Sequence, residues 1–252
     1  MDTVQQPQDR EYSFPYHYLP RLRSGFSQHY YWSWGINYAA TLEFINSRLI
    51  QIRFNSLIDI GCGDGRLVSE IAAQFPGKKI IGIDFSARAV NLARALNPGL
   101  TFQVKDIASG ESLPPVDIVT LIEVLEHIPP ARLTKFVSAL AKLVRPGGTL
   151  ILTVPHVNLP VQSKHYQHFS FSDLRSLFTS YFRVRRTFYL GRQGYLYQLI
   201  LVLLGNRFFI LNYPPAQKYL YSLFRRRLFI SDERHCSRIY LEIKRKLFPN
   251  TS

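Results

Sequence analysis

Residues 57–67 read LIDIGCGDGRL, with glycines at 61, 63 and 65. LIDI has the character of a short strand covered on both faces, and the RLVSEIAAQF that follows places Leu67, Ile71 and Phe75 four apart on one helical face. Strand, glycine-rich turn and helix in that order open a doubly wound sheet, in which ligands bind beyond the carboxyl ends of the strands. Glycines in the turn permit positive φ and let a ligand rest on main-chain amides at the helix start.

The same alternation continues outward. After Pro76-Gly77 ends the first helix, strand KIIGID (79–84), helix ARAVNLARAL (87–96), strand TFQVKD (101–106), strand DIVTLIEV (117–124), helix ARLTKFVSALAKLV (131–144) and strand GTLILTVP (148–155) follow. SFSD at 170–173 reads as a capping-box-like helix start, leading to a strand at 182–189, and RIYLEIK (238–244) alternates as a last strand. The pattern predicts an α/β fold with a doubly wound, mostly parallel, seven-stranded sheet. Four segments are expected: an aromatic-rich helical lid over 1–50, the core over 51–190, a basic amphipathic insertion over 191–237, and a final strand and tail over 238–252. The strand at 182–189 is expected to run parallel to its neighbours, so that the insertion emerges on the ligand side. Packing onto the sheet is the plainer reading of most N-terminal rings.

Two carboxylates narrow the ligand. Asp84 closes the second strand about twenty residues after the loop, where an acid can accept hydrogen bonds from ribose hydroxyls, and Asp106 closes the third. The dinucleotide fingerprint GxGxxG is not met, because the spacing is GxGxG with Arg66 at the place of the third glycine. Asp59 would also repel a pyrophosphate, whereas it would welcome an ammonium group. Ribose, adenine and an amino-acid ammonium together describe S-adenosylmethionine.

DIGCGDG, GIDFS, VKDI, IEVLEHI and RPGGTLILTVP resemble the successive motifs of class I S-adenosylmethionine-dependent methyltransferases over about residues 55–190. The resemblance implies that Asp59, Gly61 and Gly63, with Cys62 between them, hold the methionine part. It likewise implies Asp84 on the ribose, Phe85 against the adenine, Asp106 and Ile107 at the adenine edge, and the Ile122–Glu123 backbone near the sulfonium. It also places the strands ending at Val124 and Pro155 side by side.

Methyl transfer is an in-line displacement, so the protein aligns a nucleophile and, for a hydroxyl, helps remove its proton. EVLEHI offers Glu123, Glu126 and His127, which would share a face if they began a helix, and the segment 155–170 offers His156, His165 and His168. Glu123, Glu126, His127 and His165 resemble the metal site of ubiquinone-type O-methyltransferases and of small-RNA 3′-end 2′-O-methyltransferases. That implies a hard divalent cation such as Mg2+, which could lower a hydroxyl pKa. EVLEH also occurs in class I methyltransferases without metal, and a metal-free site would use His127, His165 and Glu123 as its catalytic set, with an imidazole as general base. The expected reaction is O-methylation of a small-molecule, lipid-linked or glycan acceptor. The alternatives are an RNA 2′-O-methyltransferase, an NAD(P)-dependent oxidoreductase, or a non-catalytic binding protein of the same fold.

The net charge is +14, and it is uneven: residues 160–252 carry 16 Lys/Arg against 4 Asp/Glu, while residues 1–159 carry 15 against 13. Such a basic end suits an anionic membrane surface or, in the absence of any RNA-binding module, less well nucleic acid; a solvated face, a cap or a homodimer interface are the plainer readings. Two cysteines form no disulfide framework, and the first residues lack the pattern of a signal peptide. The expected location is cytoplasmic, peripheral to the inner membrane face if the basic end binds lipid.

Overall fold

The structure, a computed structural model, describes residues 9–22, 25–28, 32–109 and 113–247; residues 1–8, 23–24 and 29–31 of the expected lid, and the tail after Leu247, lie outside the described residues. Its strands are β1 (Ser56–Ile60), β2 (Lys79–Asp84), β3 (Thr101–Val104), β4 (Val116–Ile122), β5 (Val144–Pro155), β6 (Phe182–Leu190), β7 (Ile230–Ser231) and β8 (Arg238–Arg245). They form one sheet in the order β3-β2-β1-β4-β5-β8-β6-β7. The ladders from β3 to β5 are all parallel. β4 and β5 are neighbours, as the resemblance implied.

The last strands correct two expectations. The sheet has eight strands, because Ile230 and Ser231 pair with Leu190 and Tyr189; two residues are too few to show a periodicity. β6 is bonded to no parallel strand: its partners β8 and β7 both run antiparallel to it. β8 also runs antiparallel to β5, so β6 points the same way as β5 and still ends at the carboxyl rim. The chain leaves β6 at that rim, makes the insertion there, and returns as β8 between β5 and β6.

Alternation within β1 sends successive side chains to opposite layers. Leu57 joins an apolar cluster with α1 (Gly35–Leu49), α2 (Arg66–Gln74) and the insertion helices α6 (Tyr195–Gly205) and α7 (Pro214–Arg227). Ile58 and Ile60 join a second cluster with α4 (Leu133–Leu143) and α5 (Phe171–Phe178). Burying one such side chain stabilises the fold by about 1.5–3 kcal/mol. Helix starts follow local chemistry: the Ser86 hydroxyl accepts from Ala89 N at the head of α3 (Ala87–Leu96), and Ser170 and Asp173 form a full capping box on α5.

The consequence for function is positional. β1 lies between β2 and β4, the place where strand order reverses, so the ends of these three strands open a crevice. No helix among the described residues is long and apolar enough to cross a membrane.

Candidate active site

The glycine loop is held by its own backbone. Gly61, Gly63 and Gly65 have φ of 72°, 55° and 83°, the left-handed region that a side chain disfavours. A Cβ on Gly61 would collide with Val124 Cγ2, and one on Gly65 would lie 2.7 Å from the Phe102 ring. Gly61 N and Cys62 N both donate to the Ile83 carbonyl, tying the loop to the end of β2. Asp84 completes the tie, accepting from Gly63 N at 3.0 Å and from Ser86 N at 2.9 Å. Burial pushes the Asp84 pKa up, and these N–H bonds oppose it. Each oxygen keeps a further lone pair for an incoming hydroxyl.

Beside this loop lies a cavity of about 520 Å³. Among the residues expected to bind coenzyme, Gly61, Asp84, Phe85, Asp106, Ile107, Ile122 and Glu123 line it. Asp59, Cys62 and Gly63 do not. Asp59 is buried behind the loop, accepts from the Thr120 hydroxyl at 2.6 Å, and is pushed up by burial to about 7. The Tyr12 hydroxyl lies over Gly63, 2.6 Å from where a Cβ would stand.

The opposite wall is N-terminal and aromatic: Tyr12, Tyr16, Trp32, Trp34 and Tyr38 line the cavity, and the Tyr16 and Trp32 rings stack at 6.1 Å. Two loop residues that sequence reasoning left unused latch this wall down. Asp64 accepts from His17 N at 3.2 Å and pairs with His17 Nδ1 at 3.0 Å. Arg66, noted in the sequence only as a departure from GxGxxG, donates to the carbonyls of His17 and Pro20. The signal was available in two charged residues set within a buried loop, but their partners lie nearly fifty positions away.

The third wall carries the imidazoles. Glu126, His127 and His165 each offer an atom within 4.8 Å of the others. The His127 Nδ1 lies 2.9 Å from the Lys164 carbonyl, which can only accept, so Nδ1 carries the proton and Nε2 the lone pair. The His168 Nδ1 faces the Leu159 carbonyl in the same way, leaving its Nε2 to accept from His165 Nδ1 at 2.9 Å. His165 Nε2 is therefore also a bare acceptor, and the His168 ring orients His165 through this bond. Burial pushes His127 down to about 4, and burial with the two neighbouring imidazoles pushes His165 down to about 3. Glu126 is 1% exposed, with both carboxylate oxygens buried and without a partner. Burial, then the nearby Glu123, raises its pKa well above the usual carboxylate range.

Glu123 does not join this set. The expected helical face fails because Glu123 has φ of 55° and only a 3-10 turn follows at Leu125–His127. Its carboxylate instead accepts from Arg238 Nε at 3.0 Å and from the Thr153 hydroxyl at 2.9 Å. His156 does not line the cavity; its Nδ1 accepts from Asn158 N.

Residues 31–187, well over half of the chain, match the family described as a methyltransferase domain. The chain belongs to this family. Over 110 residues it is 38% identical to a ubiquinone biosynthesis O-methyltransferase of Cupriavidus pinatubonensis, a stretch covering 41% of this chain and 42% of that protein. Over 99 residues it is 32% identical to a trans-aconitate 2-methyltransferase of Methylobacterium nodulans, covering 39% and 38%. The chain thus spans about two fifths of the length of these curated relatives. A solved magnesium protoporphyrin IX methyltransferase of Synechocystis with bound S-adenosylmethionine shares the fold, with a TM-score of 0.59, 21% identity and 98% of each chain covered. In this methyltransferase domain, one cavity joins a nucleoside-sized rim to a cluster of bare imidazole nitrogens and an unpaired carboxyl group.

Proposed function

We propose that the protein transfers the methyl group of S-adenosylmethionine to an oxygen of a small or lipid-linked acceptor. The observation that carries this reading is that a single cavity is lined both by the ends of β1, β2 and β4 and by Glu126, His127 and His165. The rim fits the coenzyme: Gly61 leaves a surface with no side chain, Asp84 has acceptor capacity for ribose hydroxyls, and Phe85 and Ile107 give apolar flanks for an adenine, with Asp106 at its edge. The sulfonium supplies an electrophilic methyl carbon. The aromatic wall and the His17–Asp64 latch keep water from the reacting atoms, and the cavity fixes the line of attack.

The acceptor's proton must leave. An imidazole held near 4 is a weak base for a hydroxyl, which argues that His127 and His165 hold something rather than remove the proton unaided. A divalent cation fits the donors present: two lone pairs whose tautomers are set by backbone and His168, and a buried carboxyl group whose oxygens have no partner. Bound there, it would acidify an acceptor hydroxyl. With Glu123 turned away, two nitrogens and one carboxylate suit a transition ion such as Mn2+ better than the Mg2+ expected from the sequence.

Labelled S-adenosylmethionine offered to lipid, glycan and RNA fractions of a lysate should label the lipid or small-molecule fraction. Label entering RNA alone would overturn the acceptor class, and calorimetry showing no binding of S-adenosylhomocysteine would overturn the whole reading. Exhaustive chelation should abolish transfer and leave coenzyme binding intact; transfer that survives it removes the cation.

A further inference from the structure

The insertion between β6 and β8 exposes apolar surface that the fold does not use. Nine of the seventeen large apolar side chains exposed among the described residues fall between 195 and 219. On α6, Tyr197, Ile200 and Leu204 are buried, while Leu199 and Val202 face outward. In the turn that follows, Phe208 is 82% exposed and Phe209 52%. These rings are held out by a built turn, for the Asn206 side-chain oxygen accepts from both Phe208 N and Phe209 N. Tyr219 on α7 is 68% exposed, and Arg226 lies seven residues, two turns, further along the same face.

Charge decides what could cover this face. Residues 191–231 contain six Lys/Arg and no Asp or Glu. Arg207 lies between the apolar helix and the exposed rings, its guanidinium 5.5 Å from the Phe208 ring centroid. A second copy docking by two-fold symmetry would bring cations against cations with no acid on the insertion itself to offset them, the neighbouring Glu43 being already paired with Arg225 and Tyr221. Exposed apolar side chains flanked by Arg207 and Arg226 match the boundary between acyl chains and anionic headgroups.

We infer that α6, the 206–213 turn and α7 form a docking surface for an anionic lipid bilayer. The surface is joined to the site. Gln28 donates to the Leu204 carbonyl at 3.2 Å, and Gly205 packs on Ser33, whose neighbours Trp32 and Trp34 line the cavity. Docking there puts the aromatic wall next to the source of a lipid-borne acceptor. The inference goes beyond the methyl-transfer reading and does not require it, because lipid binding is read without turnover.

The test is flotation of the full chain with vesicles of phosphatidylcholine containing phosphatidylglycerol, and with phosphatidylcholine alone. The protein should float with the anionic vesicles and be released by salt. Replacing Phe208→Ser together with Phe209→Ser should abolish flotation at an unchanged melting temperature. Arg207→Gln with Arg226→Gln should weaken partitioning on the order of thirtyfold, from about 1 kcal/mol per basic residue at an anionic surface. Failure of the wild-type chain to float at low salt, or flotation of the serine variant like the wild type, overturns the proposal. A dimer in sedimentation velocity that the serine pair dissociates, with no lipid binding, overturns it in favour of self-association.

Discussion

At the rim of β1 and β2 the polar groups answer one another: Asp84 accepts from Gly63 N and Ser86 N, and Ile83 accepts from Gly61 N and Cys62 N. Across the same cavity Glu126 holds two buried oxygens with no partner, and His127 and His165 each place a ring nitrogen within 4.8 Å of it. The first wall is complete before any ligand arrives, so its role is to be a fixed surface. The second is incomplete, and an unpartnered buried carboxyl group costs free energy that a proton, a cation or a hydrogen-bond donor would offset. A folded chain retains such a group where binding or chemistry makes use of it.

The largest effects should therefore separate transfer from coenzyme binding. Glu126→Gln and His127→Ala should each lower the rate of label transfer by about 10²–10⁴-fold, the range for loss of a positioned acid–base or ligand group. Calorimetry with S-adenosylhomocysteine should give wild-type affinity for both. Glu126→Gln should also melt no lower than the wild type, since it removes a buried ionisable group that has no partner. A Gln variant with full activity breaks the comparison at once.

Asp84→Ala is the counterpart on the complete wall. It removes the acceptor proposed for the ribose hydroxyls and also frees Gly63 N, so coenzyme affinity should fall by one to two orders of magnitude, as about 1.5–3 kcal/mol for a charge-assisted hydrogen bond requires. Unchanged affinity by calorimetry would show that the nucleoside lies elsewhere.

The same contrast explains what the sequence disclosed. Glycine spacing, strand-end acids and apolar alternation are local, and β2 and α3 lie at 79–84 and 87–96 as the pattern predicts. Asp84 lines the cavity at the end of β2, because a strand end fixes where its last side chain points. Glu123 departs from the expected helical face because its left-handed backbone ends that face, and its partner Arg238 enters from β8, 115 positions later. The Asp64 and Arg66 latches, the His168 support of His165 and the two-residue β7 likewise depend on distant or very short contacts. Periodicity carries no trace of them.

A smaller effect sharpens the account of the loop. Gly61→Ala puts a Cβ against Val124 at φ of 72°, so the variant should lose about 1–3 kcal/mol and melt several degrees lower. Val124→Ala in the same chain relieves the clash but not the backbone strain. A double variant that melts like the wild type would show that the glycine serves packing alone.

The smallest effect comes from an acid at the opposite edge of the sheet, which serves stability and not the site. Asp117, at the start of β4, accepts from Asn55 N at 2.6 Å and Ser56 N at 3.0 Å and pairs with Arg145. Burial alone would raise its pKa, but the two N–H donors and the guanidinium outweigh it and hold the carboxyl below its ordinary range. A depressed folded pKa contributes stability that is fully present above the unfolded value of about 3.9 and is lost as pH falls through the folded one. Asp117→Asn should therefore cost about 1–2 kcal/mol in denaturant unfolding at neutral pH, an effect that shrinks below about pH 4 as the wild-type carboxyl protonates. Coenzyme affinity should not change, because no part of this pairing lines the cavity. A gap between variant and wild type that stays constant down to acid pH would mean that the charge contributes nothing and that shape alone holds β4 to the start of β1.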